Sequence, residues 1–258
     1  MATLIKLVLS ALFWFPVLGG PLKQEWVELS YPFNNETIYW PTSLTFKHTK
    51  VFDGFTDDGF YVSKYDISGA EHGGTHLDAP SHFGEGKWTA DEIPLDRLIG
   101  PAIKIDISSK AAENPDAQLM PSDLEAWERK HGKIPDDVIV LVFSNWGRHW
   151  PDKKKYLGTD TDDLSLLHFP GIHANASRWL VKNRSLKLVG IDTASLDYGQ
   201  TKMFESHQIL NNENIPGLEN VANMDRLPAK GFTVYAAPMF ISGGSGGPCR
   251  VFALLDCA

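Results

Sequence analysis

The chain has 258 residues, 43% of them hydrophobic, enough to bury one large core or two modest ones. A formal charge of −8 argues against nucleic acid or an anionic membrane surface as the main partner. Nothing in it repeats and nothing reads as low complexity.

The first residues read as a secretory signal. Lys6 supplies the positive start, Leu7 to Leu18 form an apolar run broken late by Pro16, and Val17 and Gly19 offer small side chains at the cleavage positions. Residues 1–19 are therefore expected to be a signal peptide and 20–258 the mature domain of a secreted or secretory-pathway protein. A buried N-terminal helix is the competing reading. The run is too short to span a bilayer and no other segment could, so no membrane association is expected after cleavage. Three glycosylation sequons, Asn35-Glu-Thr37, Asn175-Ala-Ser177 and Asn183-Arg-Ser185, fit a secreted glycoprotein, although each arises easily by chance.

The densest chemistry lies in His72-Gly-Gly-Thr-His76-Leu-Asp78-Ala-Pro-Ser-His82-Phe83. Imidazole nitrogen and carboxylate oxygen are the ligands that Zn²⁺ and Mn²⁺ accept. The two glycines and the following proline argue against a regular helix, so the spacing is not helical pairing. A glycine turn entering a short extended piece would point His76 and Asp78 the same way and bring His72 round to them. Polar residues on a surface turn are the bland alternative.

Short apolar, β-branched runs predict buried strands at Ala102–Ile107, Val138–Phe143, Leu186–Ile191, Thr233–Ala237 and Val251–Leu255. One helix is predicted to open at Ser122, with Glu125 completing a capping box, and to stop before Gly132. A second runs over Ala174–Asn183 with Trp179 and Leu180 inward. These elements predict an α/β fold: a single domain with a mixed β-sheet and few helices. The tryptophans of Trp146–Trp150 and Trp40-Pro41 are either pocket lining or ordinary core packing. His207 and Glu219 flank a polar loop, and their spacing alone fits unrelated surface residues as readily as ligands. The loop Asp192 to Asp197 follows a predicted strand, where α/β folds place active sites.

Gly243-Gly-Ser245-Gly-Gly247 has the form of a serine-hydrolase nucleophile elbow, but no histidine follows it and a strand, not a helix, comes next. It reads as a glycine-rich connection near the site. Cys249 and Cys257 lie at the two ends of one predicted strand, beyond disulfide reach unless the C-terminus folds back. A free or intermolecular thiol is equally open.

The segment from His72 to Phe83 resembles the signature of the metal-dependent cyclase-like family, which includes bacterial kynurenine formamidases and isatin hydrolases. The resemblance runs from about Trp26 to the C-terminus. It takes in Trp40-Pro41, Phe169-Pro-Gly-Ile172, Val189 to Thr193, Ser195-Leu-Asp197, His207 to Leu210, Leu218-Glu-Asn220 and the closing Gly-Pro-Cys-Arg250. It implies a swivelling β/β/α-like domain, commonly homodimeric. It also implies that His72, His76 and Asp78 hold a divalent metal, Zn²⁺ or Mn²⁺, with Asp78 bridging to a second ion held by His207 and Glu219. His82 matches the family's acid/base histidine and Trp40 a substrate-contacting tryptophan. Two loops depart from the family pattern: Trp40-Pro41-Thr42-Ser43 replaces Trp-Pro-Gly-Asp, and Ser245-Gly246-Gly247-Pro248 replaces Asp-Gly-Ser-Pro. Both would face substrate.

The implied activity is hydrolysis of an amide-type C–N bond in a small, aromatic, N-formylkynurenine-like molecule. A metal lowers the pKa of bound water from 15.7 to about 7, and the resulting hydroxide attacks with His82 as acid and base. The alternatives are ring-opening of an isatin-like cyclic amide and a secreted, non-catalytic binding protein on the same fold.

Overall fold

The computed structural model describes residues 25–256. The expected signal peptide and Cys257 lie outside them. In chain order the strands are β1 (Glu25–Glu28), β2 (Lys47–Phe55), β3 (Tyr61–Ser68), β4 (His76–Asp78), β5 (Ile99–Asp106), β6 (Gln118–Leu119), β7 (Val138–Phe143), β8 (Gly171–Ile172), β9 (Leu186–Ile191), β10 (Gly217–Glu219), β11 (Lys230–Pro238) and β12 (Gly246–Leu255). The helices are α1 (Leu95–Leu98), α2 (Ser108–Glu113), α3 (Pro121–His131), α4 (Lys153–Leu157), α5 (Ala174–Asn183) and α6 (Glu205–Asn211).

The main sheet runs β1-β12-β11-β5-β7-β9-β10-β4, and β4 pairs back onto β12. The circuit from β12 to β4 therefore closes into a barrel, with β1 added outside on β12. Strands β5, β7, β9 and β10 are parallel and the other pairings antiparallel, so the sheet is mixed. This is the single α/β domain that the pattern of apolar runs predicts.

Strand β7 shows why the fold holds. All six of its side chains are buried, as expected of a parallel strand covered on both faces. Its alternation divides them: Ile139, Leu141 and Phe143 join Leu77, Leu188, Leu218, Val234 and Val251 inside the barrel. Val138, Val140 and Val142 face the other way, onto Leu124 and Trp127 of α3 and Leu180 of α5.

One local expectation is corrected and one open choice is decided. Helix α3 is capped differently: Pro121 begins the helix, and the Asp123 carboxylate accepts the Met120 backbone N–H at 2.7 Å. Proline's fixed φ suits the first helical position, so Ser122 sits inside the helix and not at its cap. The helix does stop before Gly132, at φ 92°. Of the two readings open for Trp146 and Trp150, the structure shows packing. The Trp146 indole donates to the Tyr156 carbonyl at 2.7 Å, and Trp150 stacks on Tyr31 with centroids 4.0 Å apart. Helix α5 has the predicted bounds, with Leu180 buried and Trp179 partly so. Asn35, Asn175 and Asn183 are all exposed.

Candidate metal centre

Strand β4 delivers two functional side chains from one face. His76 and Asp78 alternate with Leu77, so both point the same way, and His76 Nε2 lies 3.3 Å from Asp78 Oδ1. The register of β4 against β10 sets Glu219 opposite His76, placing Glu219 Oε2 3.4 Å from the same nitrogen. Ahead of the strand, Gly74 adopts φ 55°, where a Cβ would strike the Phe33 ring at 2.8 Å. That turn reverses the chain and carries His72 Nδ1 to 2.6 Å from Asp78 Oδ1. Asn220 braces the turn, its amide donating to the Gly74 carbonyl at 2.7 Å.

The third imidazole comes from far along the chain. His207 lies in the first turn of α6, where Asp197 accepts the backbone N–H groups of Ser206 at 2.9 Å and His207 at 3.1 Å. The His207 Nε2 atom then lies 3.0 Å from Glu219 Oε1 and 3.2 Å from Asp78 Oδ2. Asp78 thus turns one oxygen to His72 and His76 and the other to His207.

Three imidazoles share one arrangement. The outer nitrogen is tied: His76 Nδ1 to the Gly74 carbonyl at 2.9 Å, His207 Nδ1 to Asp197 at 2.7 Å, and His72 Nε2 to Ser245 Oγ at 2.9 Å. The inner nitrogen faces the carboxylates. Tying one ring nitrogen fixes the orientation and leaves the other lone pair for a ligand. His76 Nε2 is buried without a hydrogen-bond partner, a state that costs about 1–3 kcal/mol unless something takes it up. The donor set, imidazole nitrogens with carboxylate oxygens, fits a divalent transition cation. Two overlapping groups have ligand atoms close enough: His72, Asp78 and His82, and His76, Asp78 and Glu219.

The electrostatics describe a site that demands positive charge. Burial pushes His76 down, yet its contacts with Asp78 and Glu219 overcome this and raise it to about 10. Burial likewise opposes His207, which Asp197, Asp78 and Glu219 lift well above the ordinary imidazole range. For Asp78, burial pushes upward, but the charge on His72 and the bonds from His207, His72 and His76 hold it well below the ordinary carboxylate range. Protons on the imidazoles stand where a cation's charge would act, so cation binding must release them.

His82 differs from the others. It ends the short turn Pro80–His82 and stacks on His72 at 3.9 Å between centroids. Burial drives it down to about 4, with Asp78 opposing and His72 and His207 adding to the fall.

Above these groups lies a cavity of about 260 Å³, whose lining includes His72, His76, His82, His207 and Glu219. Trp40, Phe83 and Phe204 form its aromatic wall. The Phe204 ring centroid is 6.1 Å from Trp40 and 5.4 Å from Phe83. Ligand pockets typically span roughly 300–1,000 Å³, so this one suits a single or fused ring. All seven side chains singled out from the sequence, His72, His76, Asp78, His82, His207, Glu219 and Trp40, meet here. Sequence reasoning gave no role to Asp197, Phe83, Phe204 or Asn220. Asp197 had a usable signal, a carboxylate after a predicted strand shortly before His207; the aromatic wall had none.

A family model named Cyclase and described as "Putative cyclase" matches residues 27–198. An isatin hydrolase from Roseibium aggregatum is 33% identical over 217 residues, covering 81% of each chain. A kynurenine formamidase from Bacillus cereus is 28% identical over 229 residues, covering 88% of this chain and 95% of its own length. A crystal structure of an isatin hydrolase bound to the product analogue thioisatinate superposes with a TM-score of 0.83 at 29% identity, covering 90% of this chain and 93% of that one.

Proposed function

Because this chain belongs to the cyclase family, a family of metal-dependent hydrolases, we propose that it hydrolyses an amide-type C–N bond in a small aromatic, N-formylkynurenine-like substrate. The observation that carries the reading is the His76 Nε2 atom, buried without a hydrogen bond and facing carboxylate oxygens of Asp78 and Glu219 at 3.3 and 3.4 Å under an aromatic cavity. His72, His76 and Asp78 would hold a divalent cation, Zn²⁺ or Mn²⁺. His207 and Glu219, with the second oxygen of Asp78, would complete that shell or hold a second ion. When bound, such a cation polarises a carbonyl and lowers the pKa of a coordinated water from 15.7 to about 7.

The protein's own groups do the rest. Hydrolysis adds a water oxygen to the carbonyl carbon, breaks the C–N bond and leaves the nitrogen needing a proton. His82, at the cavity wall, takes the water's proton and returns it to that nitrogen. Trp40, Phe83 and Phe204 receive the ring and exclude solvent, and Trp40 contacts the substrate. The 33% identity to an isatin hydrolase favours a second reading, ring-opening of a cyclic amide, which uses the same groups on the same bond type.

Turnover of N-formylkynurenine and isatin by Zn²⁺- and Mn²⁺-loaded protein separates these readings. One of the two substrates should be consumed, and chelation should stop it. If neither is consumed while the cation stays bound, both substrate readings fail and the binding-protein reading is favoured.

We also propose that the chain works as a homodimer, through the β2–β3 hairpin. These strands pair only with each other among the described residues, and an isolated two-stranded hairpin is at best marginally stable in water. Phe52, Phe55, Phe60, Tyr61 and Ile67 nonetheless stand exposed on it, an apolar concentration typical of an interface. Phe55→Asp with Ile67→Asp should convert a dimer to a monomer in sedimentation velocity. A monomeric wild type, or a variant that stays dimeric, contradicts this.

A further inference from the structure

Ser245 and Glu71 surround the outer edge of His72. Ser245 Oγ lies 2.9 Å from His72 Nε2 and 2.6 Å from Glu71 Oε2. The Ser245 backbone N–H donates to the same Glu71 oxygen at 3.0 Å. A serine hydroxyl has one hydrogen and a carboxylate only accepts, so that hydrogen goes to Glu71. The Ser245 oxygen is left to accept, and His72 Nε2 must supply the proton. By the same rule Nδ1, 2.6 Å from the Asp78 carboxylate, also carries hydrogen while no cation is bound; a cation beside that oxygen would displace the Nδ1 hydrogen and take its lone pair, while Nε2 keeps its own.

The backbone fixes this contact. The pairing of β4 with β12 sets Gly246 opposite Asp78, and Ala79 N–H donates to the Ser245 carbonyl at 2.8 Å. At Gly246 a Cβ would come within 2.7 Å of His72 Cε1 and 2.4 Å of the Leu77 carbonyl oxygen, so the close approach requires glycine. The distances from Ser245 through His72 to Asp78 imitate a nucleophilic triad. Ser245, however, does not line the cavity, and its hydroxyl hydrogen is committed to Glu71. A nucleophile would need the reverse of both.

We propose that Glu71 and Ser245 are positioning residues: a two-step relay that fixes the His72 ring and tautomer and so sets the cation affinity of the site. This rests on the reading of His72 as a ligand. Loss of such outer partners typically weakens metal affinity by about 10–100-fold.

The test uses the purified full-length chain titrated with Zn²⁺ by calorimetry. Ser245→Ala and Glu71→Ala should each lose about 10–100-fold in affinity, and Ser245→Thr, which keeps the hydroxyl, should retain it. The double alanine variant should bind no more weakly than the worse single one, because the two act in series. Long-range ¹H–¹⁵N spectra of histidine-labelled protein give a readout that does not depend on the cation. They should show a proton on His72 Nε2 in the wild type, lost in Ser245→Ala, where only the Nδ1 proton facing Asp78 remains. A wild type that binds no Zn²⁺ overturns the metal reading, while the spectra still judge the relay. Alanine variants that bind Zn²⁺ as tightly as wild type, or a His72 ring with no proton on Nε2, overturn the relay alone.

Discussion

Replacing Asp78 by Asn is expected to empty the metal centre and abolish turnover. The carboxylate is 1% exposed and both of its oxygens are engaged, Oδ1 toward His72 at 2.6 Å and His76 at 3.3 Å, Oδ2 toward His207 at 3.2 Å. Asparagine keeps the shape and one acceptor. It also turns an N–H₂ group toward nitrogens that should present lone pairs, and it removes the negative charge that offsets the cation. Metal analysis after dialysis should find one or two ions per wild-type chain and none per variant. Asp78→Ala should do the same and also cost the cation-free protein about 3–5 kcal/mol, the usual loss when one partner of a buried charged pair is removed. Full occupancy in Asp78→Asn would remove Asp78 from the ligand set.

The second large effect falls on turnover alone. His82 lies close enough to His72 and Asp78 to be counted as a ligand on distance, but its ring is held differently. It stacks on His72 and, unlike His76 and His207, has no protein hydrogen bond to its ring nitrogens among the described residues. A ring without a tether on its outer nitrogen is poorly prepared to be a ligand and well suited to exchanging protons with substrate. His82→Ala should therefore keep its metal content and lose about 10²–10⁴-fold in turnover, the usual worth of a positioned acid/base. Loss of the cation in this variant would make His82 a ligand. Undiminished turnover would leave it no part in the reaction.

The parts of the fold legible in the sequence are those whose cause is local. Val138–Phe143 and Leu186–Ile191 are continuous apolar runs because parallel strands are buried on both faces, and the structure returns both with those bounds. The turn before His76 is legible because φ 55° is a conformation that favours glycine. What escaped depends on partners distant in the chain. The β2–β3 hairpin carries no apolar stripe against the core, so no period betrays it. The cap of α3 is ambiguous in the sequence because Ser122 and Asp123 are both capable of capping, and only Pro121 decides which turn comes first. The tryptophans of the 146–150 segment show the same limit: an indole reads as pocket or core until its N–H finds the Tyr156 carbonyl. Ser245 was seen as lying near the site, but its contact with His72 comes from the closure of β4 onto β12, which joins residues far apart in the chain.

The site itself was legible from residue types and from their resemblance to a known signature. Its convergence was legible through the resemblance alone, because spacing between His207 and Glu219 says nothing about Asp78. The register that puts Glu219 across from His76 supplies what spacing lacks.

Anomalous diffraction from crystals grown with Mn²⁺ is the most direct test. A peak bounded by His72, His76 and Asp78, with His207 and Glu219 turned toward it or toward a second peak, is the predicted result. An ordered, well-folded crystal with no peak in that space, or with His207 and Glu219 turned away from it, would contradict the account.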